Sequence, residues 1–266
     1  MKFKYNLPDG MRYATLKERR DFYLREFDVA KVESWFENWR DKGFVKFAVI
    51  IGRHTRIFPK KYGEDASVTI IIDEYKDFEE VKAQILEFLP EAVYYDRNVY
   101  DGKERVVGQE LAFDLDPENL TCPVHGTLED KMKRRQGLAF CELELGMVKE
   151  ETMKLCEELQ KQFSNMRVVY SGRGFHIHVF DEEPFAWGFR KRLIFARKLK
   201  KKGFLIDEWV TSGGMRLIRL PFSLHGMVSR IVLPIDPKRL KTFDPIKDPA
   251  CVPRFLKRSA STFSSF

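Results

Sequence analysis

The chain has 266 residues, 44% of them hydrophobic and 14% aromatic, enough to bury a substantial core in one large domain or two small ones. Lys and Arg outnumber Asp and Glu by 47 to 40, and the resulting net charge of +7, with a pI near 9.1, suits a polyanionic partner without identifying one. No run of eighteen apolar residues is present, so a membrane-spanning helix is excluded. The start, Met1-Lys2-Phe3-Lys4-Tyr5, lacks an apolar signal core, and Cys122, Cys141, Cys156 and Cys251 are too scattered for a secreted disulfide scaffold, so the expected location is the cytoplasm.

Apolar periodicity predicts helices over 16–27 and 29–40, then strands over 44–51 and 67–72. Phe78, Val81, Ile85 and Leu89 form one stripe of a helix over 78–89, and 92–100 and 109–116 read as strands. A polar stretch over 117–137 interrupts the pattern and reads as an insertion. A helix over 147–163 follows, then strands over 168–170 and 175–180, a basic amphipathic helix over 186–202, and strands over 204–209, 215–220 and 230–235. Helices mixed with strand pairs on short turns predict an α+β fold, with mixed or antiparallel sheets flanked by helices. One catalytic-type domain is expected over 1–258, with a small insertion at about 117–146 and a frayed tail over 259–266. Trp35 and Trp39, at i and i+4, read as core or interface residues.

Three segments carry chemistry. In Gly108-Gln109-Glu110-Leu111-Ala112-Phe113-Asp114-Leu115-Asp116 an apolar run ends in two aspartates one residue apart. On a strand Asp114 and Asp116 share a face while Leu115 points inward. Two adjacent carboxylates repel each other unless a cation lies between them, and a hard divalent ion takes oxygen ligands. Alone, the pattern also fits an acidic strand end running into a turn at Pro117 and Asn119. The second segment is Ser171-Gly172-Arg173-Gly174-Phe175-His176-Ile177-His178. Its glycines allow a tight turn whose N–H groups can face an anion, with Ser171 and Arg173 as side-chain donors; an ordinary hairpin fits equally. The third runs from Leu205 to Gly226. There Asp207 sits in a strand-like apolar run, where an unpaired carboxylate is costly. Arg219 ends the next predicted strand, and His225 follows in Pro221-Phe222-Ser223-Leu224-His225.

In order and local context these segments resemble the catalytic small subunit of the archaeo-eukaryotic DNA primases. That family has an Asp-x-Asp at a strand end, a Ser-Gly-x-(x)-Gly-x-His turn, a lone Asp before a hydrophobic-basic strand, and a Pro-x-Ser-x-His loop. Arg25-Glu26-Phe27 resembles a further family segment, and Gly52-Arg53-His54 does so more weakly. The resemblance implies that Asp114, Asp116 and Asp207 hold two Mg²⁺ or Mn²⁺ ions, and that Ser171, Arg173, His176, Arg219 and His225 grip nucleotide phosphates. It implies a template-dependent nucleotidyltransferase acting on a DNA template or primer with nucleoside triphosphates. A large primase subunit, or a ligase and Ku-like proteins of end joining, would be its partners, and no membrane would be involved.

The sequence also departs from the family. Its glycine turn is one residue shorter than the Ser-Gly-Arg-Arg-Gly form, and Met227 stands where a basic residue often follows the His loop. The interval from His178 to Asp207 has room for one helix only, an economy shared with the gap-filling polymerases of prokaryotic end joining. A non-catalytic nucleic-acid-binding subunit and a metal-dependent phosphohydrolase are the remaining readings. Cys122-Pro123-Val124-His125 occupies the family's zinc-knuckle position and Cys141 follows, with the fourth ligand open between Cys156, Glu142 and Glu144. Two basic clusters, Lys131 to Arg135 and Arg190 to Lys202, are either tracks for a nucleic-acid backbone or solvated faces.

Overall fold

The computed structural model describes residues 5–39 and 41–261, with 258–261 described by backbone alone. Its elements run α1 (Leu16–Arg25), α2 (Val29–Trp35), β1 (Phe47–Ile50), β2 (Thr69–Ile72), α3 (Phe78–Phe88), β3 (Ala92–Asp96), β4 (Asn98–Tyr100), β5 (Val106–Gln109) and β6 (Leu111–Leu115). They continue with α4 (Leu128–Lys133), α5 (Glu142–Leu159), β7 (Met166–Tyr170), β8 (Phe175–Val179), α6 (Glu182–Phe185), α7 (Phe189–Lys201) and α8 (Glu208–Ser212). The last are β9 (Leu217–Arg219), β10 (Leu224–His225), β11 (Arg230–Ile231), β12 (Leu233–Ile235) and α9 (Arg254–Ser261). This is the expected α+β class, with antiparallel sheets and flanking helices. Among the described residues no helix is long and apolar enough to cross a membrane. Of the tail expected at 259–266, residues 259–261 end α9 and the rest lie outside the described residues.

Two compact units are present. The first comprises Gly108–Arg216 with the segments ending at Gly10 and spanning Pro234–Ile246. Its sheet has the order β12-β7-β8-β6, with β8 antiparallel to both β6 and β7. Leu111, Phe113 and Leu115 alternate into the core of this unit, where Phe113, Phe163, Trp187 and Phe195 pack edge to face. Helix α5 buries Leu145, Val148, Thr152, Leu155 and Leu159 on one stripe, the spacing of an amphipathic helix. It begins five residues before the expected start because Cys141 caps it: Glu144 N–H donates to Cys141 Sγ, and the Glu144 carboxylate accepts from Cys141 N–H at 2.9 Å.

The second unit comprises Met11–Val107, Leu217–Leu233 and the segment from Lys247 onward. Its sheet, β2-β1-β3-β9, is antiparallel throughout. Trp35 and Trp39 are buried in this unit, and Trp35 Nε1–H donates to Tyr95 Oη at 3.3 Å. Arg19 is buried as well. Its guanidinium donates to the carbonyls of Ile51, Ile57 and Leu89 and to Thr55 Oγ1, which ties α1 to the turns after β1 and α3. The Gly52-Arg53-His54 turn is held in turn by the buried Glu91 carboxylate, which accepts from the N–H groups of His54 and Thr55.

One predicted strand is absent. Residues 204–207 form an irregular approach, and Glu208–Ser212 is a short helix. Asp207 is its N-cap, with Oδ1 accepting from Trp209 N–H at 2.7 Å and Val210 N–H at 3.2 Å, and Gly213 ends the helix in the left-handed region. The Asp cap and Gly stop outweigh the β-propensity of Ile206, Trp209 and Val210.

Candidate active site and metal-binding cluster

In the first unit β6 and β8 pair with Asp114 opposite His176 and Ala112 opposite His178. His176 Nε2 lies 3.4 Å from Asp114 Oδ1. The backbone of Asp116 stays extended (φ −122°, ψ 159°), so the alternation continues past the end of β6, and Asp114 and Asp116 share a face as the period of two requires. Asp207 joins them through its backbone, since its N–H donates to the Asp114 carbonyl at 3.2 Å. The backbone of Asp207, from a segment distant in sequence, therefore lies against the end of β6, and the helix cap engages Oδ1 of Asp207.

The turn from Ser171 to Gly174 joins β7 and β8. Ser171 N–H donates to the Gly174 carbonyl at 2.9 Å, Gly174 N–H donates to Ser171 Oγ at 3.2 Å, and Gly172 takes φ +107°. Gly174 presses against the aspartate strand. A Cβ there would lie 2.2 Å from the Leu115 carbonyl oxygen and 2.3 Å from Asp116 Oδ1. Arg173 is buried, its guanidinium in an ion pair with Glu118 and 5.6 Å above the centre of the Phe140 ring. Ser171, Arg173 and His176 thus converge beside the aspartates on one sheet of one unit.

Arg219 and His225 belong to the second unit. Arg219 stands opposite Tyr94 across β9 and β3, donates to Tyr94 Oη at 3.1 Å and lies 4.8 Å above that ring. His225 is buried on β10, opposite Arg230.

The Cys-x-x-His segment folds into a second cluster in the first unit. Cys122, His125, Cys141 and Glu144 place one ligand atom each within 4.8 Å of one another. Gly126, at φ +73°, turns the chain so that Cys122 and Gly126 bridge, and Cys122 Sγ lies 3.5 Å from His125 Nδ1. Glu144 therefore takes the fourth position. Cys156 is buried on α5, and its thiol is pushed up to about 12 by desolvation. Burial likewise raises the Cys141 thiol. Two sulfurs, an imidazole and a carboxylate fit a tetrahedral Zn²⁺ site, whereas the all-oxygen aspartate group fits Mg²⁺ or Mn²⁺.

Some basic residues have structural roles. Lys131 is buried, 2.7 Å from Glu144 Oε1, and donates to the Ala139 carbonyl, and Arg134 donates to the His125 carbonyl. Arg192 is buried and donates to the carbonyls of Glu110, Gln109, Pro184 and Trp187. Lys131 and Arg192 are thus engaged inside the fold, whereas Arg134 stays exposed.

The sequence pattern did not single out Glu110 and Glu118. Glu110 Oε1 lies 2.6 Å from His178 Nδ1 in a fully buried pair two residues along β8 from His176. A glutamate entering an apolar run signals such a partner; for Glu118, nothing local foretells Arg173.

No family model matches the chain. It is 47% identical to an uncharacterized DNA primase small subunit-like protein of Archaeoglobus fulgidus, over 98% of this chain and 99% of that one. It is 28% identical to the DNA primase small subunit PriS of Pyrobaculum calidifontis, over 63% of this chain and 67% of that one. The polymerase domain of Mycobacterium tuberculosis Ligase D, solved in complex with DNA, has the same fold at 16% identity, with a TM-score of 0.57 over 98% of this chain and 95% of that one. The fold is that of a primase-polymerase core. The chain belongs to the DNA primase small subunit-like family.

Gly174→Ala should lower the unfolding free energy by about 1–3 kcal/mol, the usual cost of forcing a methyl into a packed contact. Chemical denaturation measures it, and unchanged stability would mean that β6 and the turn are not in close contact.

Proposed function

We propose that this chain is a template-dependent nucleotidyltransferase that extends nucleic-acid strands from nucleoside triphosphates. The observation that carries this reading is the shared face of Asp114 and Asp116 at the end of β6, beside the Ser171–His176 turn, with the backbone of Asp207 hydrogen-bonded to Asp114. The three carboxylates would hold two Mg²⁺ or Mn²⁺ ions. Bound there, such ions lower the pKa of a strand's 3′-hydroxyl and screen the charge that develops on the leaving pyrophosphate.

The chain's own residues do the positioning. The β6–β8 register places Asp114 opposite His176, and the Asp207 backbone bond holds that residue's main chain against Asp114. Arg173, in exchange for Glu118, would pair with phosphate oxygens, with Ser171 Oγ and His176 as further donors. His176 lies close enough to Asp114 to link the phosphate-binding turn to the carboxylates. Arg219 and His225, on the second unit, are assigned to nucleotide phosphates by the family pattern alone. Cys122, His125, Cys141 and Glu144 would hold one zinc ion, with Lys131 balancing the carboxylate charge.

Two roles fit this chemistry. De novo priming is supported by the primase small subunit-like name of the 47% identical relative. Gap filling at DNA ends is favoured by the short interval between His178 and Asp207, which holds only α6 and α7 among regular elements. A non-catalytic subunit would have no use for the Asp114–Asp116 pair with Asp207 at its end, and a phosphohydrolase would have none for the glycine turn beside them.

Incubation with single-stranded template, labelled nucleotides and Mn²⁺, with and without an annealed primer, separates the two roles. Asp114→Ala and Asp116→Ala should each abolish incorporation while leaving the thermal unfolding temperature unchanged or slightly raised, because one of two repelling carboxylates is gone. Incorporation near the wild-type rate by either variant would refute the metal assignment.

Elemental analysis of protein purified without chelators should find about one zinc per chain, and Cys122→Ser should lose that zinc and unfold at lower temperature. Nucleotide binding should persist in this variant, because the aspartates are assembled by β6, β8 and α8 rather than by the insertion. A zinc-free wild-type protein would sink the cluster's assignment.

A further inference from the structure

Beyond the metal and phosphate residues, the surface next to Asp207 carries an arrangement that the proposed chemistry does not use. Trp209 is 66% exposed, although tryptophan is ordinarily among the more buried side chains. Its indole lies on the backbone at Gly214: a Cβ there would come within 2.6 Å of Trp209 Cε3 and 3.1 Å of Cζ3. The ring is thus supported on one side by a residue with no side chain and open to solvent elsewhere. Its backbone is held at both ends, with Trp209 N–H donating to Asp207 Oδ1 at 2.7 Å and Met215 N–H donating to the Trp209 carbonyl at 2.9 Å. The Cα atoms of Trp209 and Asp207 are two residues apart, hence no more than about 7 Å.

Beside α8 runs α7, thirteen residues long, with no acidic residue in it. Arg190, Ile194, Arg197 and Lys201 follow one exposed stripe at i, i+4, i+7 and i+11, and Ile194 is 60% exposed. Arg197 Nε–H donates to Glu208 Oε1 at 3.2 Å, which brings this stripe to the residue preceding Trp209. An exposed aromatic ring beside a line of cations is the pattern of a single-strand binding surface, where bases stack on the ring and phosphates follow the charges.

We infer that Trp209 is a base-stacking platform for an unpaired base of the nucleic-acid substrate, and that the exposed stripe of α7 carries the adjoining phosphates. This inference rests on the polymerase reading. The occupant is a strand rather than a lone nucleotide, because α7 is about 20 Å long and a strand carries a charge about every 3.4 Å. Only a polymer can engage the ring and the far end of the stripe together. Stacked on Trp209, the strand is held at a fixed offset from the aspartate that caps the same helix.

The test is fluorescence anisotropy of the full-length protein with a labelled twelve-nucleotide thymidine oligomer, together with calorimetric titration of Mn²⁺-ATP. Trp209→Ala should weaken oligomer binding about fivefold to a hundredfold, the range of one lost base stack, with Mn²⁺-ATP affinity unchanged. Trp209→Phe should recover most of the loss, since a ring stacks where a merely space-filling tryptophan would not be replaced by phenylalanine. Arg190→Ala and Lys201→Ala should each reduce the slope of log affinity against log salt by about 0.7. Oligomer binding by Trp209→Ala within twofold of wild type overturns the inference, and so does an equal loss of Mn²⁺-ATP affinity. The two readings fail separately. A wild-type protein that incorporates no nucleotide refutes the polymerase reading, whereas an active wild type with an indifferent Trp209→Ala variant refutes the platform alone.

Discussion

The pairing register between β6 and β8 sets Asp114 and His176 opposite each other in the first unit's site. With Leu111 opposite Val179 and Leu115 opposite Phe175, the apolar residues of both strands fall on the core side, and Asp114 falls opposite His176 on the other. A slip of one residue would bury Asp114 and expose Phe113, at the cost of a desolvated carboxylate and a lost aromatic contact. The hydrophobic pattern that folds the sheet is therefore also what aims the carboxylates. The third aspartate is recruited by backbone, through Asp207 N–H to the Asp114 carbonyl, so its approach does not rest on attraction between like charges.

Charge repulsion in this region is managed by pairing with groups from elsewhere in the unit. His176 faces Asp114, Glu118 faces Arg173, and the N-terminus of α8 faces Asp207. Under the proposed function each of these partners is one that a cation or a phosphate would replace. The Glu110–His178 and Lys131–Glu144 pairs differ in kind: both are fully buried. Breaking either would strand a charge in the core.

The contrast between α7 and its own arginine shows how burial sorts identical residue types. Arg192 turns inward and bonds the carbonyls at the start of β6, holding the strand that bears the aspartates. Arg190 and Arg197, on the other side of the same helix, stay at the surface. The basic run in the sequence looks uniform, and only the helix's docking on the sheet divides it into a clamp and an exposed stripe.

Much of the fold was legible because it follows from short-range rules. The stripes of α3, α5 and α7, the alternation in β6 and β8 and the glycine turn between β7 and β8 all follow from periodicity and from glycine's freedom at Gly172, and each places its elements within a few residues. The pairing of Asp114 with Asp116 on one face was legible for the same reason. Asp207 was legible as a residue that needed a partner, but its surroundings were misjudged: a capping carboxylate and a left-handed Gly213 make a helix from residues whose propensities favour a strand. The fourth member of the cysteine cluster was narrowed only to Cys156, Glu142 or Glu144, and the Glu118 partner of Arg173 and the exposed ring of Trp209 could not be read from the chain. Each depends on which distant segments pack together, and a sequence records that only through the whole set of burial preferences acting at once. Residue type and spacing thus determined what chemistry the chain can support. Tertiary packing decided which carboxylates, cations and rings meet to perform it, because proximity between remote residues is settled by the core they jointly bury.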